Sequence, residues 1–522
     1  IIYDSFNIDV KEWNANSKLN TLKYMFYKIR SGYYLQIKNN IVTKFIPFYN
    51  VRFKNDFDNF IKYFNKDYEQ IPINDNIGAT NCLISIGDNP LTDKYTIPSF
   101  MEVLDIFKRL CKLRIVPDVD LFINVKDFPI FTNDNTEPYD HIYGNMKLSE
   151  PYVDKDYYPV LSFNSNPNKY TDIPIPTNDE WQSVTQSIYQ SKCNTNYIDV
   201  FDKLVSWDNK KPMAVFRGSA TGCSLEISEN PRLVVAEMDK IENSDSLDAA
   251  VLQLPKGYIS HNQSWNTESP VVKNRQDFKD NLINKISCEE WDKDPTRQYM
   301  SLYDQSKYKY ILNIEGNSAA YRFSYLLKLK SVIINIDCEN KLWWETLQNK
   351  SGETICKEFR FVDGRPEKEY DSVEKYIFIS LSKSNLKNDL ESVIQWCLEN
   401  DDICKEIANN AKEFYDTYIN ENMIYNYLES VINNIAIKFD TSLTNQVINN
   451  DEVLYQDDDI NNYDIEVVEQ EDELHQFTIN GEVKTSITLI PNQIYIFNQS
   501  DSSNLEHTIK FSKNPLEGSI DE

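Results

Sequence analysis

The chain has 522 residues, and 54 Lys and Arg against 81 Asp and Glu leave a formal charge of −27. At roughly 100–200 residues per domain this length predicts two to four domains, and 41% apolar with 13% aromatic residues is too rich for a disordered chain. The acidity argues against nucleic acid as a partner and against a polybasic hold on anionic lipid, since both need clustered Lys and Arg.

The 12 glycines form neither GxGxxG nor GxxxxGK[ST], which removes the dinucleotide fingerprint and the P-loop. Nine cysteines are scattered without a CxxC pair. His141, His261, His475 and His507 lie far apart, so neither a structural zinc site nor a disulfide scaffold is expected. No apolar run reaches the ~18 residues of a membrane span.

In chain order, residues 1–75 mix aromatic and charged residues and predict a small α+β lead-in. From about 80 to 385, short β-rich runs alternate with amphipathic ones. Strands are expected at 120–125, 158–163, 213–216, 331–336 and 376–381. Helices are expected at 99–112 and through 321–329. This alternation predicts βαβ units and parallel sheets, enough for two α/β lobes, at 76–205 and 206–440.

Within 387–437, Ile403, Cys404, Ile407, Ala408, Ala411, Phe414, Tyr415 and Tyr418 form one stripe of period 3.6, which predicts a long helix packed on the sheets. Eleven acidic residues and no basic one lie between Asp451 and Glu473. That run predicts a self-repelling extended linker over 441–475. Residues 476–522 are β-type, with a hairpin signal at Asn480-Gly481, and read as a partial β-module.

Three segments could carry chemistry. In Asp120-Leu-Phe-Ile-Asn-Val-Lys-Asp127-Phe-Pro129 an apolar strand ends in a carboxylate, where active sites of open α/β sheets collect. Asp127 then sits where a general base belongs, or it caps the turn before Phe128-Pro129. In Ala214-Val-Phe-Arg217-Gly218-Ser219-Ala-Thr221-Gly222 a strand runs into a loop with one guanidinium, two glycines and two hydroxyls, a combination suited to an oxyanion. The alternative is an ordinary turn with an exposed Arg. The third, Tyr308 to Ser324, predicts a strand, a turn at Gly316 and a helix starting at the small residues. Arg322 would lie about two turns into that helix, either on the same anion or paired with a surface carboxylate.

Together these segments resemble glycosyltransferase family 90, which includes Rumi-type protein O-glucosyltransferases and fungal capsule-associated xylosyltransferases. The carriers are KDFP after a strand, FRGS, and YKYILNIEGNSAAYRFSYLL. Pro117-Asp-Val-Asp120, Asp172-Ile-Pro-Ile-Pro176 with Trp181, and Asn230-Pro-Arg-Leu233 fall in family order, and the likeness covers roughly 80–435. The Asn-, Ile-, Lys- and Tyr-rich usage looks like members carried by large DNA viruses.

The resemblance implies a GT-B enzyme of two Rossmann-like lobes, with a C-terminal helical stretch and here an added β-module. It implies inversion at the anomeric centre, a UDP-sugar donor (UDP-glucose or UDP-xylose), a protein or glycan acceptor, and no cofactor or catalytic metal. Carried over by position, Asp127 is the base, and Arg217 and Arg322 hold the UDP diphosphate. Gly218, Ser219, Ser318, Ala319 and Ala320 shape the nucleotide loop. The DxD-like Asp118-Val-Asp120 is not read as a metal site, because it leads into a strand and the arginines make a metal unnecessary.

Departures include Lys330, where the family commonly has Gly, which calls the close turn before Ser331 into question. Lys126 replaces the Arg that precedes the base in Rumi-type members and loses its bidentate geometry. The lead-in lacks their paired cysteines, so their disulfide-rich acceptor does not carry over. The β-module is similar to small cupredoxin-like modules, without the cysteine that would support copper. The rival reading is a retired transferase fold serving as a glycan-binding or virion-associated structural protein. Localisation stays open between a host cytoplasm or virus factory and, since the chain begins at Ile1, a secretory lumen reached by a removed leader.

Overall fold

Alternating aromatic and aliphatic residues in SGYYLQIK and IVTKFIPFY build a hairpin of β1 (Ser31–Lys38) and β2 (Ile41–Tyr49). Its two-residue turn is Asn39-Asn40, with both residues left-handed at φ 49 and 60, the geometry that matches strand twist. The Asn40 amide is also used as a clamp, donating to the Cys111 carbonyl and accepting from the Val116 N–H. The computed structural model describes residues 15–49, 57–58, 60, 96–133, 157–185, 204–219, 221, 230–242, 245–253, 299–316, 318–349 and 351–439, and the backbone of four strands between 460 and 498.

On its other edge β1 pairs antiparallel with β3 (Val119–Ile123). Parallel partners β4 (Val160–Ser162) and β5 (Ile173–Pro174) follow, in the order β2-β1-β3-β4-β5. The lead-in thus supplies two strands to the sheet that carries the KDFP segment.

The second sheet has the order β11-β10-β12-β9-β8-β6-β7. Its strands are β6 (Lys211–Ser219), β7 (Leu247–Gln253), β8 (Tyr308–Asn313), β9 (Val332–Ile336), β10 (Glu358–Val362), β11 (Arg365–Pro366) and β12 (Phe378–Leu381). All neighbours are parallel except the β10–β11 edge pair. Such sheets are covered on both faces, and β9 is buried at all five positions. From β6 the chain goes to β7 on one side, then returns to β8 on the other. That reversal is a topological switch point, outside whose strand ends ligands bind in open α/β sheets.

Three helices replace the single long one expected: α6 (Leu386–Glu399), α7 (Asp401–Tyr418) and α8 (Glu421–Phe439). The expected stripe is the buried face of α7, with Cys404, Ile407, Ala408, Ala411, Phe414 and Tyr415 all inside. Helix α8 returns to the first sheet, where the Tyr427 phenol donates to the Pro174 carbonyl at 2.6 Å. On the same side, α2 (Thr96–Leu113) and α3 (Asn178–Thr185) cover that sheet. Thr177 and Glu180 form a capping box at the start of α3: the Glu180 N–H donates to the Thr177 hydroxyl, and the Thr177 N–H to the Glu180 carboxylate.

The close turn before Ser331 is made despite the lost glycine. Lys330 takes the left-handed conformation itself, at φ 53.

Contacts separate Ile1–Phe439 from Asp440–Glu522. In the second unit β13 (Ile460–Glu469) pairs antiparallel with β14 (His475–Ile479) and parallel with β16 (Ile494–Asn498), and β15 (Glu482–Val483) pairs with β14. A strand therefore runs inside the acidic stretch, where Tyr463, Ile465 and Val467 alternate with Asp464 and Glu466, the strand period of two. The Asn480-Gly481 turn lies outside the described residues. No described helix is long and apolar enough to cross a membrane.

Candidate functional site

The loop after β3 is pinned from several directions. Asn124 Nδ2 donates to the Phe128 carbonyl at 2.7 Å, and its Oδ1 accepts from the Lys126 N–H at 2.9 Å. Beyond Pro129, the Ile130 and Phe131 N–H groups both donate to Asp172 at 2.8 Å, and the Ser162 hydroxyl donates to it at 2.6 Å. Burial pushes the Asp172 carboxyl up to about 6, against those bonds. The DIPIP segment is thus an anchor for the KDFP loop.

Between these pins Asp127 is half-buried. Next to it Lys126 is buried, which pushes its amine down to about 8, with Asp127 opposing and Arg30 adding to the shift. Asp118 and Asp120 lie around the start of β3, at the far end of the strand from Asp127. Asp120 pairs with Lys18 and accepts from the Tyr34 phenol and Gln36. No group of three or more His, Cys, Asp or Glu among the described residues is placed to hold a metal ion.

On the second sheet lies the β6/β8 switch point. Arg217 is 2% exposed, and its guanidinium turns back along the sheet. It donates to the Asp248 carboxylate at 2.6 Å, the Asp248 carbonyl at 3.0 Å and the Phe216 carbonyl at 2.9 Å. The Tyr308 phenol holds the other Asp248 oxygen at 2.6 Å. What Arg217 offers the cleft side is its own carbonyl, which accepts from Arg322 Nη1 at 2.6 Å.

Arg322 immediately precedes the short helix α5 (Phe323–Leu327), not two turns into a helix as expected. The preceding small residues form irregular turns, because Ser318 and Tyr321 are drawn into side-chain bonds across the cleft.

A third arginine, absent from the sequence-derived set, completes this wall. Arg232 is the second residue of α4 (Pro231–Glu242). It donates to the carbonyls of Glu315 (2.8 Å), Ser219 (2.9 Å) and Ile314 (2.9 Å), and to the Thr221 hydroxyl (2.7 Å). The guanidiniums of Arg322 and Arg232 lie 5.3 and 5.9 Å from the Phe216 ring centroid. Burial pushes Arg232 down to about 9, with the nearby charge of Arg322 adding to it, and burial holds Arg322 at about 10. Nε of Arg322 is buried without a hydrogen-bond partner among the described residues.

Glu315, whose charge acts on Arg232, pairs with Lys383 at 3.0 Å. Two like charges, Arg232 buried and Arg322 half-buried with an open donor, make a locus that a dianion would stabilise. One signal for Arg232 was available: a cation in the first turn after Asn230-Pro231 sits against the helix dipole, an unfavourable placement without a local role.

The glycines serve close packing here. A Cβ on Gly218 would lie 2.8 Å from the Phe216 ring on which both cations rest, and one on Gly316 would meet Thr221 Oγ1 at 2.9 Å and Arg232 at 3.0 Å. Ser219 contributes its carbonyl to Arg232. Ala319 and Ala320 are half-exposed, while Ser318 is buried with its hydroxyl committed to Asn164 and Asn340. Gly222 lies outside the described residues.

The two walls meet directly. Ser165, after β4, and Lys341, after β9, exchange backbone bonds at 3.0 and 2.7 Å. Burial, then the charge of Asp127, raise the Tyr321 phenol well above its ordinary range, which puts Tyr321 near Asp127.

Residues 97–349 match the sequence profile of Glycosyl transferase family 90. An uncharacterized protein of Invertebrate iridescent virus 6 is 28% identical over 495 residues, covering 82% of this chain and 38% of that protein. One of Invertebrate iridescent virus 3 is 27% identical over 450 residues, covering 80% of this chain and 36% of its own length. Protein O-glucosyltransferase 1 of Rattus norvegicus is 25% identical over 342 residues, 63% of this chain and 64% of that enzyme. The chain spans little more than a third of the two viral relatives. Over residues 97–349, which hold Asp127, Arg217, Arg232 and Arg322, the chain belongs to glycosyltransferase family 90.

Proposed function

We propose that the chain is an inverting glycosyltransferase that moves glucose or xylose from a UDP-sugar to a hydroxyl on a protein or glycan. In this reading the two sheets are the Rossmann-like lobes of a GT-B enzyme, and the donor lies between them. The observation that supports it is the pair of guanidiniums at the switch point, Arg232 buried and Arg322 half-buried, tied through Ser318 and Asn164 to the loop that holds Asp127.

The chemistry follows from these groups. The acceptor oxygen attacks the anomeric carbon while Asp127 takes its proton. The bond from that carbon to the β-phosphate oxygen breaks, the electron pair leaves with UDP, and the configuration inverts. Charge building on the leaving diphosphate is stabilised by Arg322 and Arg232, which are held in place before reaction and need no reorganisation. Arg217, assigned to the diphosphate by position, acts in this reading mainly through the carbonyl that orients Arg322, because its guanidinium is engaged by Asp248. Gly218, Ser219 and the 318–320 turn form the wall against which the nucleotide lies. The name of the rat relative supports glucose and a protein acceptor as the first pair to try.

The test is UDP release from UDP-glucose, UDP-xylose and UDP-GlcNAc, with and without EDTA. Asp127→Asn should lose about 10²–10⁴-fold in turnover with UDP affinity unchanged. Full activity in that variant removes Asp127 as the base. No turnover and no thermal shift with UDP favours the retired fold with a glycan-binding or structural role.

A further inference from the structure

The two walls of the cleft are joined at one side chain, Asn164, which follows β4 and is 1% exposed. Its Nδ2 donates to the backbone carbonyl of Asp127 at 2.8 Å and to the Tyr321 phenol oxygen at 3.4 Å. Its Oδ1 accepts from the Ser318 hydroxyl at 2.7 Å, and Ser318 Oγ in turn accepts from Asn340 Nδ2 at 2.8 Å. A primary amide is the one uncharged side group that offers two donors and an acceptor in a single plane. Here the donors reach the base loop and Tyr321, and the acceptor reaches the turn that leads to Arg322. Buried polar groups of this kind keep their partners, since an unpaired one costs about 1–3 kcal/mol.

We propose that Asn164 is a positioning residue that ties the Asp127 loop to the 316–322 turn, so that nucleotide on that turn sets the place of the base. The inference rests on the transferase reading and deepens it. The rigid neighbours support transmission of position: Asp172 holds the far end of the base loop, and the Ser165–Lys341 bridge fixes the segment beside Asn164. The Asn164 amide is therefore the adjustable element between two anchored walls. Phe163, one residue earlier, places its ring edge-on to Tyr321 at 6.0 Å and limits the ways that side chain can turn.

Asn164→Asp keeps the acceptor for Ser318 and replaces the donor to the Asp127 carbonyl with an oxygen. Ser318→Ala removes the link between Asn164 and the nucleotide turn, together with the bond from Asn340 Nδ2. Misplacement of a catalytic group by about 1 Å costs on the order of 10²-fold, so Asn164→Asp should lower kcat by roughly 10–100-fold. The KM for the UDP-sugar and the Kd for UDP should each stay within about twofold of wild type on the same grounds. UDP should slow amide exchange across residues 124–131 in the wild type, and should not in Asn164→Asp or Ser318→Ala at saturating UDP.

Absence of UDP binding in the wild type would defeat the transferase reading itself. UDP binding with unchanged exchange at 124–131, or with the same slowing in both variants, overturns the coupling alone. A kcat for Asn164→Asp equal to wild type, or a fall matched by the loss of UDP affinity, likewise overturns the positioning role.

Discussion

At the scale of single residues, three arginines on neighbouring elements are held in two different ways, and sequence position alone does not separate them. Arg217 has a carboxylate partner at 2.6 Å, with the Asp248 side chain 25% exposed. Arg322 and Arg232 both lie against the Phe216 ring, with no carboxylate partner among the described residues. The difference should appear in the readout. Arg217→Met should cost about 2 kcal/mol of stability, short of the ~3–5 of a fully buried pair because water reaches Asp248. It should leave UDP affinity within about tenfold, one hydrogen bond's worth. Arg322→Ala should weaken UDP binding by at least about tenfold, the loss of one charge-assisted bond, with little change in melting temperature. Calorimetric UDP titration alongside thermal unfolding of both variants checks this, and an exchange of the two phenotypes would return the diphosphate to Arg217. The FRGS motif was legible in the sequence, but the direction of its guanidinium depends on Asp248, which lies on another strand with 30 residues between them in the chain.

At the scale of elements, periodicity located the strands and the buried face of α7, and missed what depends on pairing or on local strain. The acidic stretch carries a strand because charge count and alternation are separate properties, and alternation governs the pleat. The turn into β9 shows the converse: Lys330 holds a conformation that is unfavourable for any residue with a Cβ, by about 1–2 kcal/mol. Beneath that turn the buried Lys210 amine donates to the Leu329 carbonyl at 3.1 Å and the Ser331 hydroxyl at 2.9 Å. Burial, then the charge of Lys330, bring Lys210 down to about 7. Lys330→Gly should therefore stabilise by about 0.5–1 kcal/mol, the relief of strain partly offset by a more flexible unfolded chain. A lower melting temperature in that variant would show that the lysine has a compensating contact.

At the scale of the whole molecule, burial of titratable groups sets a pH profile of stability. Burial raises the carboxyls of Asp172 to about 6, Glu180 to about 7 and Glu102 to about 8. The folded chain keeps these protons to higher pH than the unfolded one, so their contribution is present at low pH and is lost as pH rises through those values. Burial lowers Lys210 to about 7 and Lys126 to about 8. Their contribution is lost as pH falls through those values and returns as pH rises toward the ordinary lysine range. Melting temperature should thus dip near pH ~7–8, where both sets are at their weakest. A steady climb from pH 5.5 to 8 in a thermal scan would contradict this. What the sequence determined by itself was local: strands and helices written in periodicities of 2 and 3.6, family motifs in order, and a net formal charge of −27. Only the tertiary structure decided which strand ends face each other, that Arg232 joins Arg322 over the Phe216 ring, and that Asn164 binds the two walls. Those facts are relations between residues tens to hundreds of positions apart, held by packing and by obligatory pairing of buried polar groups, and no local pattern encodes them.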